Sequence, residues 1–160
     1  MAEGTVLATM LGATVAISAS LPASYDASGY QATGITYTAI GKVESLGEHG
    51  GSAQVSSFTP LSDGVTEKFK GAFDYGELAL TLGRLPSDSG QDLIDTAFAS
   101  RNRYSVKLTY PTRTGESTAE IHYLDVLVTR RAWGGGAVGD VDKLSVTFSI
   151  CRAPVVVAAT

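Results

Sequence analysis

Two histidines, one cysteine and sixteen carboxylates carry the reactive potential of this 160-residue chain. His49 stands among glycines in "GEHGG", and His122 lies within an apolar run. A metal centre needs ligands converging at fixed spacing, and neither H-x-x-x-H nor C-x-x-C occurs. Cys151 would need an adjacent base to act as a nucleophile. It ends the alternation "KLSVTFSIC", where a small apolar side chain is the simpler role. As the only cysteine it has no disulfide partner in its own chain, which fits assembly in a reducing cytoplasm. "WGGGAVG" (133–139) lacks the Lys-Ser/Thr of a phosphate loop and precedes a strand, not a helix. In Arg130-Arg131-Ala132-Trp133, neighbouring strand positions face opposite ways, so the arginines form no single patch. No enzyme, metal or cofactor is expected from these residues.

Such residues must be positioned by a body, and composition bounds it. With 44% apolar and 18% charged residues, 160 residues make one globular domain. A net charge of −4, with twelve scattered lysines and arginines, argues against a protein that clasps DNA by its phosphates. The first basic residue is Lys42, so the apolar N-terminus does not read as a signal peptide. No apolar run reaches 18 residues, and no membrane span is expected.

One stretch reads as α-helix, "SDSGQDLIDTAFAS" (87–100). Leu93, Ile94, Ala97 and Phe98 make a stripe, with Ser89 capping and Asp92 three residues on. The rest is strand and turn. Strands are expected at 13–18, 33–43 (Ile35, Tyr37 and Ala39 on one side), 103–111, 118–132 and 143–151. Residues 65–73 and 77–85 flank "DYG" (74–76) as a hairpin, with Gly76 available for a left-handed turn. Around these lie an N-terminal arm (1–12), a long loop (44–64) with a short strand near 54–59, and a C-terminal tail (153–160). The expected fold is mainly β: a β-sandwich or partly closed barrel with one flanking α-helix at about 89–100. That helix would cover an open sheet edge or barrel end.

Three segments in order carry a resemblance. They are Pro22-Ala23-x-Tyr25-Asp26-x-x-Gly29-Tyr30, then Lys68-x-Lys70-Gly71-x-x-Asp74-x-Gly76, then Asp88-x-Gly90-Gln91 opening the helix. Over roughly residues 14–152 this pattern resembles the tail tube proteins (major tail proteins) of long-tailed, non-contractile bacteriophages, the siphophages. The resemblance implies a tail-tube-like fold and hexameric rings stacked into a hollow tube that conducts DNA from capsid to host. It also implies partners: a tape-measure protein inside the tube, tail-tip and tail-terminator proteins at its ends, and DNA passing without specific binding.

Within that frame Glu67, Asp74 and Glu77 are the candidates for an acidic lumen, which would let polyanionic DNA slide. Tyr25, Tyr30, Pro60, Leu61, Val155 and Val156 are the candidates for contacts between subunits or rings. The 44–64 stretch is expected to order only on contact, opposing premature polymerisation. Two other readings stand beside this one. Tyr25, Tyr30, Tyr37 and Trp133 would offer stacking faces to a glycan or receptor in a tail-tip module. A tube subunit of a related secretion or injection system is the other.

Overall fold

In the computed structural model, which describes residues 7–160, strand follows strand with two helices interposed. In chain order they are β1 (Thr14–Ser18), α1 (Ala27–Tyr30), β2 (Thr38–Ala39), β3 (Val43–Leu46), β4 (Ser52–Phe58), β5 (Glu67–Asp74) and β6 (Glu77–Gly83). Then come α2 (Ser89–Ala99), β7 (Tyr104–Thr109), β8 (Ile121–Trp133), β9 (Lys143–Ile150) and β10 (Val155–Val157). Of the expected N-terminal arm, residues 1–6 lie outside the described residues, and 7–10 are exposed.

The main sheet is antiparallel, ordered β2-β1-β7-β8-β9-β6-β3, with β10 pairing the start of β8. Its two end strands, β2 and β3, are joined by only three residues, so the sheet curls back towards itself as a partly closed barrel. Alternation sets which residues face inward. β9 buries Leu144, Val146, Phe148 and Ile150, and β6 buries Leu78, Leu80 and Leu82. With Val106, Leu108, Leu124 and Val126 these form one core, closed on the helix side by Ile94 and Ala97. No helix among the described residues is long and apolar enough to cross a membrane.

α2 matches the expected helix, with two corrections: Phe98 of the expected stripe is exposed, because the core ends at Ile94 and Ala97, and the cap differs. The cap is Asp88, whose Oδ2 accepts from Gln91 N at 3.0 Å, rather than Ser89. A carboxylate accepts more strongly than a hydroxyl and also favours the positive end of the helix dipole. Asp88 further accepts from Gly41 N at 3.2 Å, which binds the helix to the β2–β3 connection.

Residues 33–43 do not form one strand. Lys42 takes a left-handed φ of 58°, which separates β2 from β3. Upstream, Tyr37 leaves the ladder to pack on Tyr123, and its hydroxyl donates to Tyr30 O at 3.2 Å. Residues 21–37, with α1, thus cover the outer face of the sheet. Asp26 caps α1 by accepting from Gly29 N at 2.7 Å. A Cβ on Gly29 would stand 1.9 Å from Ser24 O, so the turn requires glycine.

The expected hairpin around "DYG" is also corrected. β5 pairs with β4, while β6 pairs with β3 and β9. Gly76 does take a left-handed φ of 69°, and Asp74 Oδ1 accepts from Gly76 N at 2.9 Å. This turn passes the chain from one sheet to the other. The reason is burial: Leu78, Leu80 and Leu82 need a core strand on each side, whereas β5 has no buried face.

Candidate assembly surface

The hairpin β4–β5 stands off the body. Every residue of β5 is exposed, and in β4 only Ala53 is partly covered. Its turn, 59–66, is held by its own atoms. Gly64 N donates to Pro60 O at 3.0 Å, Val65 N donates to Asp63 Oδ1 at 3.0 Å, and the Thr59 and Thr66 hydroxyls lie 2.9 Å apart. The 44–64 segment, expected as a long loop with a short strand near 54–59, thus holds most of β3, a longer strand β4 at Ser52–Phe58 and half of a turn. Two strand-like runs of matched length around Pro60-Leu61-Ser62-Asp63-Gly64 were the available sequence signal.

Register decides what each face presents. Ala53 pairs Phe73 and Val55 pairs Lys70, so Gly71 and Ala72 together oppose Gln54 in a bulge on β5. The bulge shifts the alternation by one. Val55, Lys68, Lys70 and Phe73 therefore share one face, and Phe58, Glu67 and Phe69 share the other. Lys70 Nζ lies 4.8 Å from the Phe73 ring centroid, in keeping with that assignment. Phe58, Phe69 and Phe73 are 60%, 53% and 57% exposed. Both faces of this ribbon therefore carry uncovered apolar side chains beside charged ones.

At the root of the hairpin, His49 is held to the body. Its Nε2 lies 2.8 Å from His122 Nδ1, and His122 Nε2 lies 2.7 Å from Glu120 Oε1. With His122 neutral and Glu120 ionised, His122 Nε2–H donates to the carboxylate, His122 Nδ1 accepts, and His49 Nε2–H donates to it. Burial, followed by the nearby His122, holds the His49 pKa below its ordinary value. Among the described residues no three His, Cys, Asp or Glu side chains converge on a possible ion.

The structure brings together some of the expected acidic positions. Asp74 and Glu77 line one shallow groove at the hairpin root with Glu48 and His49. Glu67 lies at the other end of β5, seven residues or roughly 20 Å along the strand. Of the expected contact residues, Pro60 and Leu61 sit at the tip, Leu61 wholly exposed. Val155 and Val156 belong to β10 and pair Tyr123 and His122 of the same subunit, with Val156 still exposed. Tyr30 is packed inside its own subunit, its ring stacked on Tyr123 at 5.2 Å, so it presents no contact face. Tyr25 lies at the surface, covered on one side by the Arg152 guanidinium at 4.0 Å. Of the four aromatics considered as stacking faces, Trp133 is the most open.

Sequence reasoning passed over Asp125, which is fully buried beneath these rings. Its Oδ2 accepts from Arg103 Nη1 at 2.9 Å and from Arg152 Nε at 3.3 Å, whereas Oδ1 has no partner among the described residues. Burial pushes its pKa up, against the pull of Arg103 and Arg152. Burial, with Asp125 nearby, also pushes up the Cys151 thiol, which is the opposite of what a nucleophile needs. Arg131 pairs with Asp95 at 2.7 Å while Arg130 is exposed, so the two arginines do separate.

No protein-family model matches the sequence, and no curated protein matches it. Solved structures do resemble the fold. A chain from the sheath/tube terminator of an extracellular contractile injection system, PVC, in its extended state superposes with a TM-score of 0.71. The identity is 10%, over 98% of this chain and 100% of the other. A chain from the anti-feeding prophage (AFP) baseplate gives 0.68 at 14% identity, over 96% and 97%. The SPP1 tail tube gives 0.62 at 11% identity, over 92% of this chain and 78% of that one. The chain has a tail-tube-like fold, one it shares with proteins of phage tails and contractile injection systems.

Proposed function

We propose that this chain is a non-catalytic structural subunit that joins copies of itself into hexameric rings stacked as a hollow tail tube. In this reading it belongs to a virion with a long, non-contractile tail and is assembled in the host cytoplasm. DNA passes through the lumen, a tape-measure protein occupies the tube before ejection, and tail-tip and terminator proteins close its ends. The observation that carries the reading is the β4–β5 hairpin. A two-stranded ribbon is marginal on its own in water, and this one exposes Phe58 and Phe69 on one face, Val55 and Phe73 on the other. Neighbouring copies would cover both. A contact between different surfaces of identical chains is heterologous, so it closes as a ring or continues as a filament. In such a tube Asp74 and Glu77, and Glu67 separately, are the lumen candidates, and the exposed Leu61 and Val156 reach adjacent subunits.

Electron microscopy of the purified chain across a concentration series, with and without preformed tail-tip complex, tests this. Regular hollow tubes with stacked rings are the expected result. A chain that never extends a tip complex overturns it. A second reading, the tube subunit of an injection system, is favoured by the PVC and AFP chains, which match over nearly their whole length. Extension of an injection-system baseplate in place of a phage tip would select it.

A further inference from the structure

The geometry points to a docking surface on the flank of α2 that receives the lysine-bearing face of the β4–β5 hairpin from a second copy of this chain. This rests on the tube reading and gives it a contact.

The flank is built, not merely exposed. Arg131 lies between the Phe98 ring, 5.5 Å away, and the Trp133 ring, 4.3 Å away. Asp95 fixes that guanidinium at 2.7 Å. The two rings are therefore held in place before any partner arrives, yet Phe98 is 42% and Trp133 59% exposed. A cleft of about 150 Å³ opens beside Trp133, with Arg84, Leu85, Asp92 and Asp95 in its wall, the Arg84 charge being matched by Asp142 at 3.2 Å. A rigid Trp–Arg pair beside a cleft is the composition that dominates binding energy at protein interfaces.

Charge selects the occupant. Among the described residues Asp92 has no ion-pair partner, and Asp95 shares Arg131 only. On the hairpin, Lys68 and Lys70 are likewise without carboxylate partners, and they share a face with Val55 and Phe73. Cations beside apolar side chains would thus meet carboxylates beside aromatic rings. A chain of net charge −4 repels its own copies, and a local match of this kind offsets that repulsion and sets the register of contact. Hairpin and flank are different surfaces of one chain, which makes the contact head to tail.

Two charge reversals test it, both at exposed positions. Lys68→Glu with Lys70→Glu, and separately Asp92→Lys, should each raise the concentration needed for assembly by about tenfold or more. An equimolar mixture should restore assembly, because each variant's altered surface then meets its altered complement and each normal surface its normal one. The triple variant should assemble alone. Carbodiimide cross-linking of wild-type assemblies should join Lys68 or Lys70 to Asp92 or Asp95 of another copy. Single-face variants that assemble like wild type, or a mixture no better than its components, would overturn the docking surface and leave the tube reading standing. If wild type forms only small oligomers, the tube reading falls and sedimentation of the same mixtures decides the docking surface. A chain monomeric at every concentration overturns both.

Discussion

Gln91 reaches Gly41 across the seam of the barrel: its side-chain Nε2 donates to Gly41 O at 3.1 Å although fifty residues separate them. The same Nε2 donates to Gly83 O at 2.9 Å, and Oε1 accepts from Leu85 N at 3.0 Å. One buried amide therefore ties α2 to the β2–β3 connection and to the end of β6, where no strand ladder continues. Gln91→Ala would leave these backbone groups unpaired in a dry place. It should destabilise the subunit by about 2–3 kcal/mol. Urea denaturation of the unassembled chain measures this, and a loss under about 1 kcal/mol would mean that water replaces the amide.

Gly90 sits against the same seam. A Cβ there would lie 2.2 Å from Ala39 O and 2.8 Å from the Ile40 Cα, both backbone atoms that cannot move aside cheaply. Gly90→Ala should lower stability by about 2 kcal/mol or more, whereas Gly50→Ala, which meets nothing within 4 Å, should stay within about 0.5 kcal/mol. Equal thermal midpoints for the two variants would remove close packing as the reason for glycine at position 90.

The hairpin aromatics should behave in the opposite way. Phe58→Ser with Phe69→Ser removes side chains that are more than half exposed and lie outside the subunit's core. Unassembled-chain stability should change by no more than about 0.5 kcal/mol, while tubes fail to form. A large drop in the thermal midpoint would instead place these rings in the subunit's own packing.

His49 gives the hairpin root a pH dependence. Its pKa is lowered in the fold by burial first and by His122 second, so the folded chain binds fewer protons than the unfolded chain just below the ordinary imidazole value of about 6.5. The contribution of His49 is present above that value and declines as pH falls through it. Protection factors at residues 47–52, that is, exchange rates corrected for their intrinsic slowing, should fall as pH drops from about 7.5 to about 5.5. His49→Gln should flatten that difference. An unchanged profile in the variant would assign the effect to another group.

The lumen assignment separates the acidic residues. Glu77→Lys, at the hairpin root, should slow DNA ejection from tubes that form normally, since DNA adheres to a basic wall. Glu67→Lys at the far end of β5 tests that position by itself. Normal ejection kinetics with either variant would remove that residue from the lumen.

Where alternation was strict, sequence and structure agree. β9 buries the four apolar residues of its alternation, and α2 buries Ile94 and Ala97 of its stripe while Phe98 stays exposed, because a two- or 3.6-residue period and the need to bury one side determine those elements locally. The motif residues were legible as a pattern: Gly29, Gly90 and Gln91 stand where the backbone admits no other choice of size or hydrogen bonding. Pairing was not legible. β5 next to β6 across "DYG" satisfied every local rule for a hairpin, yet β5 joined β4, because only the assembled sheet shows that β6 is claimed on both edges. The faces of the hairpin were likewise hidden, since a single bulge at Gly71-Ala72 reverses the phase of every residue beyond it. Burial of Asp125 and Tyr30 also came from tertiary contact alone, where chain segments far apart in sequence close over one another. Composition and period thus determined the long strands and the eleven-residue helix, but not the short elements α1, β3 and β10, which form only where distant segments meet them. Strand partners, hairpin faces and the histidine, arginine and aromatic contacts depended on distant residues, and only the folded chain decided them.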